Sequence, residues 1–139
     1  MRKILLFFFV ISNYSVHAQV YQQDNTVQLI NHKIIIPDGG TLAEALSLTQ
    51  DWTESVLRKN ENIEEVKLLI GDTQKDTIDL VVLYSFKKNV QRSTNEINQE
   101  LIKQRWPGEG EFELFISELH RYINPSLNEK SLFKALVLK

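Results

Sequence analysis

No cysteine occurs in the 139 residues. That excludes disulfides, thiolate metal sites, thiol catalysis and a lipid-modified N-terminal cysteine. There is no basic block either: sixteen basic and eighteen acidic residues are dispersed along the chain, which gives no footing for nucleic acid. The G-x-x-x-x-G-K phosphate cradle is absent, and Gly39-Gly40 reads as a turn. His32 and His120 lack H-x-x-E or H-x-x-x-H spacing and a third ligand, so no metal site and no cofactor are expected. No ordering of Ser, His and Asp points to a nucleophile. The apolar run Ile4–Ile11 is eight residues, too short for a bilayer, which needs about 20.

What that run does fit is an export signal. Met1-Arg2-Lys3 is basic, Ile4–Ile11 is apolar, and Val16-His17-Ala18 supplies the small-residue ending at which a signal peptidase cuts. Residues 1–18 are therefore expected to be removed after Ala18, leaving a periplasmic or secreted protein with no membrane attachment. Residues 19–26 are a polar, flexible lead-in, and residues 27–139 are a single domain. Without Arg2 and Lys3, fourteen basic residues face eighteen acidic ones, a charge of about −4. A domain of this size can bury a core without covalent staples.

The most strand-like stretch is Thr77–Phe86. Successive strand side chains alternate between faces. Ile78, Leu80, Val82, Tyr84 and Phe86 make one fully apolar face; the other carries Val81 and Leu83 between polar ends. A strand covered on one side only should alternate cleanly, so this one is expected to be an inner strand with both faces covered. Around it the periodicity predicts a strand over 27–36, with His32 sharing a face with Ile30, Ile34 and Ile36, and a turn at Pro37–Gly40. A helix follows from Leu42 to about Lys59, capped by Thr41 with Glu44 three residues on. Its charged Asp51, Glu54, Arg58 and Lys59 read as a solvated surface. A strand over 64–70 leads by a hairpin-length loop into Thr77–Phe86. Ser93 and Glu96 cap a second helix that ends at Pro107, a third spans 111–124, and a last strand covers 132–138.

The order β-α-β-β-α-α-β, with right-handed crossovers, gives an α+β, ferredoxin-like plan: a four-stranded antiparallel sheet with helices on one face. In this order, and in Asp79–Phe86 followed by a capped helix, the chain resembles the dimeric α/β-barrel superfamily, which includes small antibiotic-biosynthesis monooxygenases and stress-responsive barrel proteins. The resemblance implies a homodimer whose sheets pack back to back into a barrel, which would cover the second face of the central strand. It also implies a pocket between sheet and helices. On the faces that would line it lie His32, Trp52, Tyr84, Trp106, His120 and Tyr122. Each also has a structural reading, as core or boundary residue. Three functions stay open: binding of a small apolar or aromatic ligand, monooxygenase-like oxidation without a tightly bound cofactor, and a protein-interaction module. Fold alone does not choose among them.

Overall fold

A computed structural model describes residues 26–88 and 90–134. The expected signal peptide, residues 19–25 of the expected lead-in and residues 135–139 of the expected last strand lie outside the described residues. Strand β1 (Thr26–Ile35) leads to helix α1 (Leu42–Trp52), which runs on into a π-helical turn (Thr53–Leu57). Strands β2 (Ile63–Ile70) and β3 (Thr77–Phe86) follow, then helices α2 (Thr94–Arg105) and α3 (Glu111–Tyr122), a 3-10 turn (Pro125–Leu127) and strand β4 (Glu129–Lys134). The strands form one four-stranded sheet in the order β2-β3-β1-β4, with antiparallel pairing throughout. This is the ferredoxin-like order, with β2 and β4 as open edges rather than a closed barrel.

Both helix starts form as the sequence dictates. Thr41 Oγ1 accepts from the Glu44 amide at 3.2 Å while Glu44 Oε2 accepts from the Thr41 amide at 2.8 Å. Ser93 and Glu96 repeat the exchange at 3.1 and 3.3 Å. Each box satisfies two amides that an isolated helix end would leave open.

The first helix departs from expectation beyond Trp52. Its last turn widens, with the Arg58 amide reaching back to the Thr53 carbonyl at 2.9 Å. Thr49 and Thr53 both turn their hydroxyls onto carbonyls four residues earlier, each at 2.9 Å, a bonding mode that bends helices. The wide turn buries Thr53, Ser55, Val56 and Leu57 together, which a regular stripe would not. Asp51 is not simply solvated surface either: it is half-buried and bound to Arg105. The last strand starts at Glu129, three residues earlier than its apolar pattern indicates, because Asn31 and Ile30 of β1 pair with Glu129 and Lys130.

The core lies under the even-numbered face of β3. Ile78, Leu80, Val82, Tyr84 and Phe86 are all buried, while Thr77 is exposed and the other odd positions are half-buried. Within one chain the helix face is the covered one. On the opposite face Val81 and Leu83 are only partly buried, and Ile35 and Leu69 are exposed. Polar groups share that face: the Lys33 ammonium and the Asn31 amide both donate to Asp79 Oδ1.

Candidate functional site

The floor beneath the helices is built from cross-strand pairs of β1 and β3: Gln28 with Tyr84, Ile30 with Val82, His32 with Leu80, Ile34 with Ile78. All eight face the helices, because parity along a strand fixes the side. The apolar residues on this floor fall into two core clusters. One contains Ile30, Val82, Tyr84 and Phe86, with Trp52 packed against it. The other contains Ile34, Ile78, Leu80 and Tyr122. Along β1 the boundary between them is His32.

His32 is half-buried, and its side chain meets that of Asn128. Burial holds its pKa below the ordinary imidazole value, with a hydrogen bond to the Asn128 side chain opposing that shift in part. The ring is thus neutral at neutral pH and carries one nitrogen donor and one acceptor. Tyr84 is buried beside Phe86, edge to face with ring centroids 5.3 Å apart.

Trp52 and Trp106 stack with centroids 6.4 Å apart, and Trp106 lies 4.4 Å from Phe115 and 5.4 Å from Phe112. The group is joined to the floor through Trp52. It is held from outside by Arg105, whose guanidinium lies 5.3 Å over the Trp106 ring and binds Asp51. Both tryptophans and Phe112 remain half-buried, so this corner is less tightly enclosed than the core proper.

The six candidate residues do not converge on one point. His32 and Tyr84 stand on the floor, and Trp52 and Trp106 form the aromatic wall beside Tyr84's cluster. His120 lies exposed on α3, its pKa lowered by partial burial. Tyr122 sits in the other cluster, and its hydroxyl donates to Glu44 Oε2 at 2.9 Å. Sequence reasoning passed over Gln28, which is 1% exposed with Nε2 unpartnered. Its even parity with Ile30 and Ile34 was the available signal. A surface depression of about 400 Å³ lies on the β2 edge, lined by Arg58 and Ile63–Val66 and by none of the six. Among the described residues, no group of three or more His, Cys, Asp or Glu is placed to hold a metal ion, and no helix is long and apolar enough to cross a membrane.

No family model and no curated protein matches the chain. Solved structures do. SnoaB, a cofactor-independent oxygenase from Streptomyces nogalater, is similar at 17% identity and a TM-score of 0.47, covering 82% of this chain and 96% of that one. A dimeric protein of unknown function and ferredoxin-like fold from Bacteroides fragilis is similar at 12% identity and a TM-score of 0.42, with 79% and 96% covered. A dimeric ferredoxin-like protein from an uncultured marine organism is similar at 9% and 0.43, with 84% and 98% covered. The likeness is one of fold. It assigns no role to any side chain here.

Proposed function

We propose that this chain is an exported, homodimeric protein that binds a small apolar or aromatic molecule between the helix face of its sheet and the helices. The observation that carries this reading is the interruption of the floor at His32. An apolar floor split by a half-buried imidazole, and flanked by the buried Gln28 amide whose Nε2 has no partner, is costly for stability alone, since a buried polar atom without a partner loses on the order of 1–3 kcal/mol. The same arrangement suits a site where mostly apolar walls surround a few polar groups. The aromatic wall of Trp52 and Trp106 adds flat contact surface at low entropic cost.

The homodimer reading rests on the other face. Leu29, Val81, Leu83, Ile35 and Leu69 give it an apolar surface, and its ion pairs Lys33–Asp79 and Lys67–Glu65 are compensated within one subunit. A face whose charges nearly balance, Lys33 and Lys67 against Asp79, Glu65 and Glu129, fits a second copy of itself better than a strongly charged partner.

Native mass spectrometry on protein recovered from its own source tests both halves together. The expected spectrum shows two chains beginning at Gln19 and a bound small molecule. A bare monomer would contradict both halves. A ligand that leaves chemically oxidised would turn the binding reading into the oxygenase reading.

A further inference from the structure

Strand register lays out the open face of the sheet in rows. One row runs Lys67, Leu83, Leu29, Ser131 from the β2 edge to the β4 edge, and the next runs Leu69, Val81, Asn31, Glu129. Apolar side chains hold most of the middle. Charges of opposite sign stand at the two edges, Lys67 on β2 and Glu129 on β4. Lys67 lies 3.0 Å from Glu65, with both side chains more than half exposed. Glu129 has no ion pair among the described residues, and its charge acts on Lys33, which is itself bound to Asp79.

Sheets stacked face to face lie about 10 Å apart with their strands roughly aligned. Two copies of one chain pair about a two-fold axis. Two axes in the plane between the sheets keep the strands aligned, and they treat the edges differently. An axis across the strands lays each edge on its own copy, β2 on β2 and β4 on β4. Lys67 then comes beside Lys67, and Glu129 beside Glu129. An axis along the strands lays β2 on β4 and keeps every row at its own height. Leu83 of one copy then lies over Leu29 of the other. Lys67 lies over Ser131, one row from Glu129. Neighbouring rows are about 7 Å apart, within the reach of a lysine side chain. The two-fold repeats the contact, which gives an apolar centre with an opposite-charge pair at each rim.

We infer that the two copies pair about an axis along the strands, the β2 edge of each over the β4 edge of the other, with Lys67 of each facing Glu129 of the other. This rests on the homodimer reading and adds to it the orientation of the copies and the contacts that select it. The opposed like charges of the other arrangement count against it.

The test is a charge-reversal cycle on the full chain, with the dimer dissociation constant read by sedimentation over a dilution series. Lys67→Glu and Glu129→Lys should each raise that constant about tenfold, since each disturbs both rims. The double reversal should return it to within about threefold of the parent. A double variant as weak as the two single effects combined would overturn the orientation and leave the dimer standing. A parent chain that sediments as a monomer would overturn both. Cross-linking asks the same question where a reversal disturbs the fold, because the chain has no cysteine of its own. With a short thiol-to-thiol reagent, a chain carrying Lys67→Cys and Glu129→Cys should give a covalent dimer, and Lys67→Cys alone should not. A covalent dimer from Lys67→Cys alone would mean that β2 lies on β2, against the inference.

Discussion

The Arg105 guanidinium grips both carboxylate oxygens of Asp51, Nε to Oδ1 at 3.1 Å and Nη2 to Oδ2 at 2.9 Å. The pair joins the end of α2 to the end of α1, and the Ser55 hydroxyl in the π-helical turn donates to the same Oδ1 at 2.8 Å. Two-pronged pairing is the strong form of this contact, but both partners are partly exposed. Arg105→Ala should therefore lower stability by only about 1 kcal/mol. Because Arg105 also covers Trp106, the tryptophan emission should shift towards that of a more solvated ring. Urea unfolding and an emission scan check the two effects. An unchanged spectrum would separate the ion pair from the aromatic wall.

A larger loss is expected at Asn60. Its side chain makes three hydrogen bonds while 1% exposed: to Thr94, to Asn98, and from the Asn62 amide to its Oδ1 at 2.9 Å. Asn60→Ala would orphan several buried groups, which costs about 2–3 kcal/mol. Chemical denaturation should show a lower midpoint with the same slope. A loss below about 0.5 kcal/mol would mean that the network is not needed to hold α2.

Acid should loosen the contact between α1 and α3. Glu44 accepts hydrogen bonds from the Tyr122 hydroxyl, the Thr41 hydroxyl and the Thr41 amide, which together hold its carboxyl below the ordinary value, the Tyr122 bond foremost. A depressed folded-state pKa means the contribution is present above the ordinary carboxyl pKa and is lost as pH falls through the folded one. Melting temperature should drop with pH below about 4.5, and less steeply in Tyr122→Phe. Parallel curves would rule the contact out as an acid-sensitive tie.

At milder acidity His32 acts in a separate window. Its folded pKa is lowered by burial, so the unfolded chain takes up the proton first. Stability should be flat above the ordinary imidazole value near 6.5 and fall as pH drops from there to the folded pKa. His32→Phe should flatten that segment. His120, also lowered by burial, would leave the residual slope, and a double variant should remove it. An unchanged slope in both would place the titrating group elsewhere.

The general plan was legible because two periodicities, of two and of 3.6 residues, survive cleanly in β3 and in α3. The capping boxes were legible because Thr41/Glu44 and Ser93/Glu96 are local exchanges that need no tertiary partner. Three things were not. The widened turn after Trp52 arises from hydroxyl-to-carbonyl bonds of Thr49 and Thr53, residues that look ordinary on a helical stripe. The polar start of β4 is a strand only because β1 offers it an edge. Gln28 falls inside the expected strand over 27–36, but a glutamine does not announce burial, and its pairing with Tyr84 of β3 is what sets it on the buried floor. The aromatic wall was half visible: Phe112 and Phe115 belonged to a helical stripe, but their meeting with Trp106 depends on the sharp corner between α2 and α3.

The second face should control assembly. Leu83 stands at its centre, paired with Leu29 and Lys67, so Leu83→Lys would bury two like charges in any two-fold pairing. Light scattering should read a dimer for the parent chain and a monomer for the variant, with the fold unchanged by circular dichroism. A parent chain that scatters as a monomer would remove the dimer.

The two faces of the sheet are assigned different work, and a backbone and side-chain amide NMR titration with stilbene, a small apolar aromatic probe, compares them directly. The expected result is movement of the Gln28 side-chain amide, the His32 and Tyr84 backbone signals and the Trp52 and Trp106 indoles, with the amide signals of Lys67 and Leu69 on the β2 edge left in place. Shifts confined to Lys67 and Leu69, or no shifts at saturating ligand, would contradict a site between sheet and helices.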